Sequence, residues 1–303
     1  MNTPDVRLNR PDELAAAVPL LIGFHPAESV ILAAFDADNR IGPILRADLT
    51  PVGAFEPVAT EMLDVIPQDH RHTAALIVIS ARPRSDALAD LARVVTAAGM
   101  QVMSSLYVTG TRPGSEWTCC CGCGEFGRLP EPNTHLQAQA VWNGSNTLPD
   151  RDAVAEALRP DDTETLARRA RLLVAPGPTG PALDLERAME EFLARGALTD
   201  TAVAGLVRCL RDQRRSTEVL LSRTGELRLV LEALVRATPV AYVAGPAAFL
   251  ALAALLQGNG LLADLAAERA TSTAPTGVLP QLVARLVQNY PSPDTVRELL
   301  TDV

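Results

Sequence analysis

Four of the five cysteines in this chain stand within five consecutive positions, Cys119-Cys120-Cys121-Gly122-Cys123. Three chemistries are open to so dense a thiol stretch. Cys119, Cys121 and Cys123, with His135, supply the thiolates and imidazole that suit tetrahedral zinc. Adjacent cysteines seldom reach one ion, however, and no second Cys-x-x-Cys pair completes a four-ligand set. A close pair could instead form a strained, labile disulfide, or the thiols could be inert loop residues. Nucleophilic use of a cysteine would need a base, and His25 is the candidate.

A second set of reactive side chains is His25, Glu28, Ser29, Arg46, Asp48 and Arg82. His25, Ser29 and Asp48 have the identities of a hydrolase triad, but no Gly-x-Ser-x-Gly elbow surrounds Ser29. The same residues have a structural reading, in which His25 fixes a turn before Pro26, Ser29 caps, and Asp48 pairs with Arg46. They also have a binding reading, because the planar guanidinium groups of Arg46 and Arg82 can hold a carboxylate or phosphate.

Either set works only if the fold gathers it. Pro11-Asp12-Glu13 opens an apolar helix that Pro19 should kink or end near Val18, with Gly23 as the exit. Val30-Ile31-Leu32-Ala33-Ala34-Phe35 and residues 41–49 read as an antiparallel hairpin around a short polar turn. A helical stripe at Val58, Ala59, Met62, Leu63 and Ile66 precedes Ala74-Ala75-Leu76-Ile77-Val78-Ile79, an apolar run expected at the sheet centre. Ser85 is placed to cap a helix closed by Gly99, and residues 102–108 alternate as a further strand. Strand-helix-strand order implies parallel neighbours, so the strands ending near Leu49, Ser80 and Val108 should point the same way. Residues 25–29, 46–48, 80–82 and the cysteine loop would then converge on one rim, where ligands of open α/β sheets bind. His70-Arg71-His72 should lie at the opposite edge as a solvated turn, and Trp117 and Trp142 should pack the cysteine loop down.

Composition narrows the functions available. At 303 residues and 48% hydrophobic, the chain can bury a substantial core. Its net charge of -9 lacks the basic field of nucleic-acid binding, so no nucleic-acid partner is expected. All 27 basic residues are arginine, which excludes a Walker-type phosphate loop, a Schiff-base lysine and a kinase-type strand lysine. The N-terminal residues lack a secretory pattern, which points to the cytoplasm, and Asn143-Gly144-Ser145 then reads as a turn. The uncharged run at 239–256 is alanine-rich and broken by Gly245-Pro246, as suits a buried helix rather than a membrane span.

Beyond Pro176-Gly177-Pro178-Thr179-Gly180-Pro181, which reads as a linker, the pattern becomes wholly helical. Leu185, Ala188, Met189 and Phe192, then Val203, Leu206, Val207 and Leu210, then Leu227, Val230, Leu231 and Leu234 recur at helical spacing and mark core, with Cys209 read as buried. Residues 247–270 look like one tetratricopeptide-type helix pair that must pack in a bundle.

The segment Gly23-Phe24-His25-Pro26-Ala27-Glu28-Ser29, preceded by a leucine-rich helix, resembles the signature of an actinobacterial domain-of-unknown-function family. The resemblance runs on through Arg46-Ala47-Asp48-Leu49, the cysteine loop and Leu148-Pro149-Asp150-Arg151, and it implies an architecture without an activity. This chain departs from the family pattern in its compressed cysteines and in Arg215-Ser216, where an arginine-aspartate pair is usual.

The expected fold is an α/β N-terminal domain, with a mixed sheet of an opening hairpin then parallel strands, plus an all-α C-terminal helical domain. Boundaries are expected at 1–145, 146–182 and 183–303. The expected function is cytoplasmic binding or adaptor work, with a small anionic ligand or protein partner at the rim, no membrane, and no cofactor unless the thiols hold zinc. The alternative is a hydrolase-type or thiol-dependent enzyme using His25 with Ser29 or a cluster cysteine.

Overall fold

The computed structural model describes residues 10–142, 147–175, 185–289 and 291–301, with side chains at 139–142 excluded. The turn at Asn143-Gly144-Ser145, the packing of Trp142 and the linker at 176–181 lie outside the described residues. The chain divides into two compact units, Met1–Arg151 and Asp152–Val303.

The first unit runs α1 (Pro11–Ile22), β1 (Ser29–Phe35), β2 (Ile41–Asp48), α2 (Glu56–Asp64), β3 (Thr73–Ile79), α3 (Ser85–Ala97), β4 (Gln101–Val108), β5 (Glu116–Cys119), β6 (Phe126–Arg128) and α4 (Thr134–Trp142). Its six strands lie in the order β2-β1-β3-β4-β5-β6. β1 is antiparallel to both β2 and β3, and β3 is parallel to β4, so β2, β3 and β4 all run the same way. The apolar runs of β1 and β3 occupy the centre, and their alternate side chains feed two cores. Val30, Leu32, Leu76 and Val78 pack with Phe55, Met62, Leu88 and Leu91 of the α2 and α3 layer. Ile31, Ile77, Ile79, Leu106 and Trp117 pack with Leu14, Ala15 and Val18 of α1. Each Val, Leu or Ile so buried stabilises by about 1.5–3 kcal/mol relative to exposure.

Local details depart from the sequence reading. α1 does not stop at Val18 but runs through Pro19 to Ile22, where Gly23 at φ 88° donates its amide to Pro19 O at 2.9 Å. A proline so near the C-terminus forfeits one hydrogen bond of the last turns, which continuous burial of residues 14–19 outweighs. Ser85 is the first helical residue of α3 rather than its cap. Arg84 holds the cap position without a side-chain cap bond, and its guanidinium joins Asp86 to Thr50 O at 2.9 Å. That guanidinium, ahead of the Gly53 amide, holds the Asp86 carboxyl at about 2. Arg71 is no solvated turn residue, because it donates to the carbonyls of Ile66 (2.9 Å) and Leu63 (3.0 Å) at the end of α2. β5 and β6 were not anticipated: β5 pairs antiparallel with β4, and β6 pairs antiparallel with β5. The outer strand β2 contains Pro43.

The second unit is helical among the described residues. It comprises α5 (Arg151–Ala157, starting at the unit boundary), α6 (Thr163–Val174), α7 (Leu185–Arg195), α8 (Asp200–Cys209), α9 (Gln213–Ser222), α10 (Thr224–Ala237), α11 (Ala244–Leu256), α12 (Gly260–Thr273), α13 (Val278–Gln288) and α14 (Pro293–Thr301). α11 is buried on every side from Pro246 to Leu256, which accounts for its lack of charge. No described helix is long and apolar enough to cross a membrane. The stripes of α7, α8 and α10 supply buried core as their spacing required, although Phe192 and Cys209 are only half-buried.

Arg169 on α6 is 7% exposed and binds Asp161 at 2.6 Å, Asp200 at 2.8 Å and the Ala237 carbonyl at 3.1 Å. Removing it leaves two carboxylates and a carbonyl without their shared donor. Arg169→Met should therefore cost about 3 kcal/mol, read as a lowered urea midpoint, and an unchanged midpoint would show that the network contributes nothing.

Candidate functional site at the sheet rim and the thiol hairpin

Because β1 runs against its neighbours, its first residue lies beside their last ones. Ser29 pairs with Asp48 of β2 and Ile79 of β3, and Ile79 in turn pairs with Val108 of β4. The structure thereby brings the segments holding His25, Glu28, Ser29, Arg46, Asp48 and Arg82 to one rim.

What these residues do there follows from their partners. Glu28, at φ 43°, turns the chain into β1 and accepts from Ser80 Oγ and the Ala81 amide, both at 2.9 Å. Its own carbonyl accepts from the Leu49 amide at 2.9 Å, so one residue ties the start of β1 to the exits of β2 and β3. Ser29 is fully buried, and its hydroxyl donates to Ala27 O at 2.7 Å while accepting from Arg46 Nε at 3.0 Å. Arg46 also pairs with Asp48, which lies 3.6 Å from Arg151, and its guanidinium sits 6.0 Å from the Phe24 ring centre. Phe24 and His25 are held to Leu148, whose amide donates to Gly23 O (2.9 Å) and whose carbonyl accepts from His25 N (3.0 Å). The joint presence of the residue 23–29 segment and Leu148-Pro149-Asp150-Arg151 thus has a mechanical cause.

His25 does not meet Ser29. Its Nδ1 is 2.9 Å from Oγ1 of Thr111, a residue 4% exposed in the loop that leaves β4. The triad identities are all present and each is bonded elsewhere, so no proton path runs from Ser29 through His25 to Asp48. Thr111 and Arg112 were missed by sequence reading. The available signal was position, because they lie three and four residues past the end of β4, in the loop at the rim where that strand ends.

The cysteine stretch is not at that rim. Residues 109–115 form the rim loop, and β5 then turns back along β4, so that Cys119 pairs with Leu106 and the Cys120 amide donates to Ser105 O at 2.7 Å. The thiols therefore sit along the β5–β6 hairpin, partway back toward the start of β4. Cys119, Cys121 and Cys123 place their sulfurs within 4.8 Å of one another, and Cys119 Sγ is 2.8 Å from Cys121 Sγ. His135, exposed on α4, is not a member of this group. Burial, with the hydrogen bond to Cys121 behind it, pushes the Cys119 thiol up to about 12, whereas hydrogen bonds from Cys119 and Cys123 hold Cys121 below the ordinary thiol value. Burial likewise raises Cys120. Trp117 packs beneath the hairpin as anticipated, 8% exposed, and its indole nitrogen has no hydrogen-bond partner among the described residues.

A family model described as Domain of unknown function (DUF4192) matches residues 11–294. No curated protein and no solved structure matches the chain.

Burial, and after it the charge of Arg112, lowers His25 below its ordinary 6.5, so the folded protein favours the neutral ring. As pH falls below 6.5 the unfolded chain takes up the proton first, and stability present at higher pH is lost as pH drops toward the folded-state value. Urea midpoints measured between pH 7 and about 5 should fall more steeply for the wild type than for His25→Gln; parallel curves would remove His25 as the cause.

Proposed function

Starting from a chain that belongs to the family Domain of unknown function (DUF4192), a membership that carries no activity, we propose a binding module. It takes a small anionic ligand at the rim, and the two guanidinium groups of Arg82 and Arg112 supply the recognition. One observation carries this reading. Both arginines are exposed on loops leaving adjacent strands, and neither has a side-chain partner among the described residues. By contrast, the rim acids Glu28 and Asp48 are already engaged by Ser80, Ala81, Arg46 and Arg151. Two guanidinium forks without an ion-pair partner among the described residues suit a carboxylate or phosphate. His25, tied through Nδ1 to Thr111, keeps Nε2 for the same ligand.

The reading is non-catalytic because Ser29, the only rim hydroxyl of the would-be triad, is buried and spent on Ala27 and Arg46. Glu28, Ser29, Arg46 and Asp48 accordingly build the platform, and Arg82, Arg112 and His25 face the ligand.

A thermal-shift screen with inorganic phosphate, nucleotides and small carboxylates tests this. A ligand at a hundred times its dissociation constant stabilises by about 2.7 kcal/mol, a shift of several degrees. The double substitution Arg82→Ala with Arg112→Ala should abolish the shift while leaving the ligand-free midpoint in place. If no anion shifts the wild type, or the double variant responds equally, the rim does not bind anions.

A further inference from the structure

We propose that Cys119, Cys121 and Cys123 bind one zinc-type divalent ion through three thiolates, leaving its fourth coordination position to a ligand from outside the chain. The proposal is independent of the rim. It begins with convergence: three sulfurs within 4.8 Å of one another, on alternate residues of one hairpin. An ion about 2.3 Å from each sulfur requires sulfurs about 3.8 Å apart, so small side-chain rotations suffice to seat it. Thiolates select zinc and other thiophilic ions over magnesium or calcium. Each sulfur ligates after giving its proton to solvent: three protons leave as one divalent ion enters, so the tris-thiolate site carries one net negative charge until the fourth ligand binds.

The sequence shapes the hairpin for this purpose. Gly122 at φ 87° and Gly124 at φ 76° take left-handed conformations in the turn, and a Cβ added at either would meet open space. The conformations, not crowding, therefore call for glycine there. Cys120 falls between the ligating positions: its amide is spent on Ser105 O, and its sulfur lies 3.9 Å from Thr118 O. With Cys120 outside the group and His135 not reaching it, the described residues offer no fourth ligand.

The ion is not needed to hold the hairpin. β5 and β6 pair through Glu116 with Arg128, Trp117 with Gly127 and Thr118 with Phe126, and Cys119 N donates to Glu125 O at 2.8 Å. A structural zinc site supplies folding energy outright, whereas this one is preformed by backbone pairing. Cys121 and Cys123 are exposed, so an ion here exchanges with solution and presents its open position outward.

The test is titration of fully reduced full-length protein with Cd2+ under anaerobic conditions, following thiolate-to-metal charge-transfer absorbance, then competition by Zn2+. One ion per chain is expected, with affinity falling about 100-fold or more in Cys121→Ser and Cys123→Ser. Cys120→Ser, Cys209→Ser and His135→Ala should bind as the wild type does. Gly124→Ala keeps every thiol and should still weaken binding several-fold, which separates sulfur geometry from sulfur count. Far-UV circular dichroism of each variant and of the metal-free protein should be unchanged. A stoichiometry other than one, an equal loss in Cys120→Ser, or a comparable loss in His135→Ala would overturn the proposal. So would rapid alkylation of all four hairpin thiols in the presence of saturating Zn2+.

Discussion

The antiparallel insertion of β1 between β2 and β3 is the constraint from which the α/β unit follows. A strand that runs against both neighbours brings its own entry to their exits, and the polar groups of that entry must be satisfied there. Glu28 does most of this through its carboxylate to Ser80 and Ala81 and its carbonyl to Leu49. Its positive φ is the cost of making the turn in the space available. Without that turn Ser29 could not sit fully buried opposite both Asp48 and Ile79.

The same saturation decides what the segment can do. A nucleophile needs a base to take its proton, while the buried Ser29 hydroxyl donates that proton to a backbone carbonyl, Ala27 O, and accepts from Arg46. Residues that look catalytic in the sequence have become fasteners, while Arg82 and Arg112 are exposed without a side-chain partner among the described residues. The family match spans residues 11–294, so the rim segment and the helical unit fall within one family model.

Much of this was legible in the sequence where burial imposes a pattern. The continuous apolar runs of β1 and β3 announced central strands, and βαβ order fixed the direction of β2, β3 and β4. Helical stripes such as Leu227, Val230, Leu231 and Leu234 gave core positions directly. What stayed hidden was short or context-dependent. β5 has four residues of which only Trp117 is buried, and β6 has three, too few for alternation to register. Missing β5 placed the thiols at the rim, because a chain leaving β4 was followed as loop when it had already reversed. Thr111 was invisible for another reason: its bond to His25 spans 86 positions, and nothing local marks either end.

The two outermost strands set a limit on the sheet itself. On one side β2 contains a proline, a residue without an amide to donate; on the other, β6 ends after three residues. Neither border offers a long continuous template of donors and acceptors. The sheet is thus self-terminating, and other chains find little backbone on which to grow a ribbon.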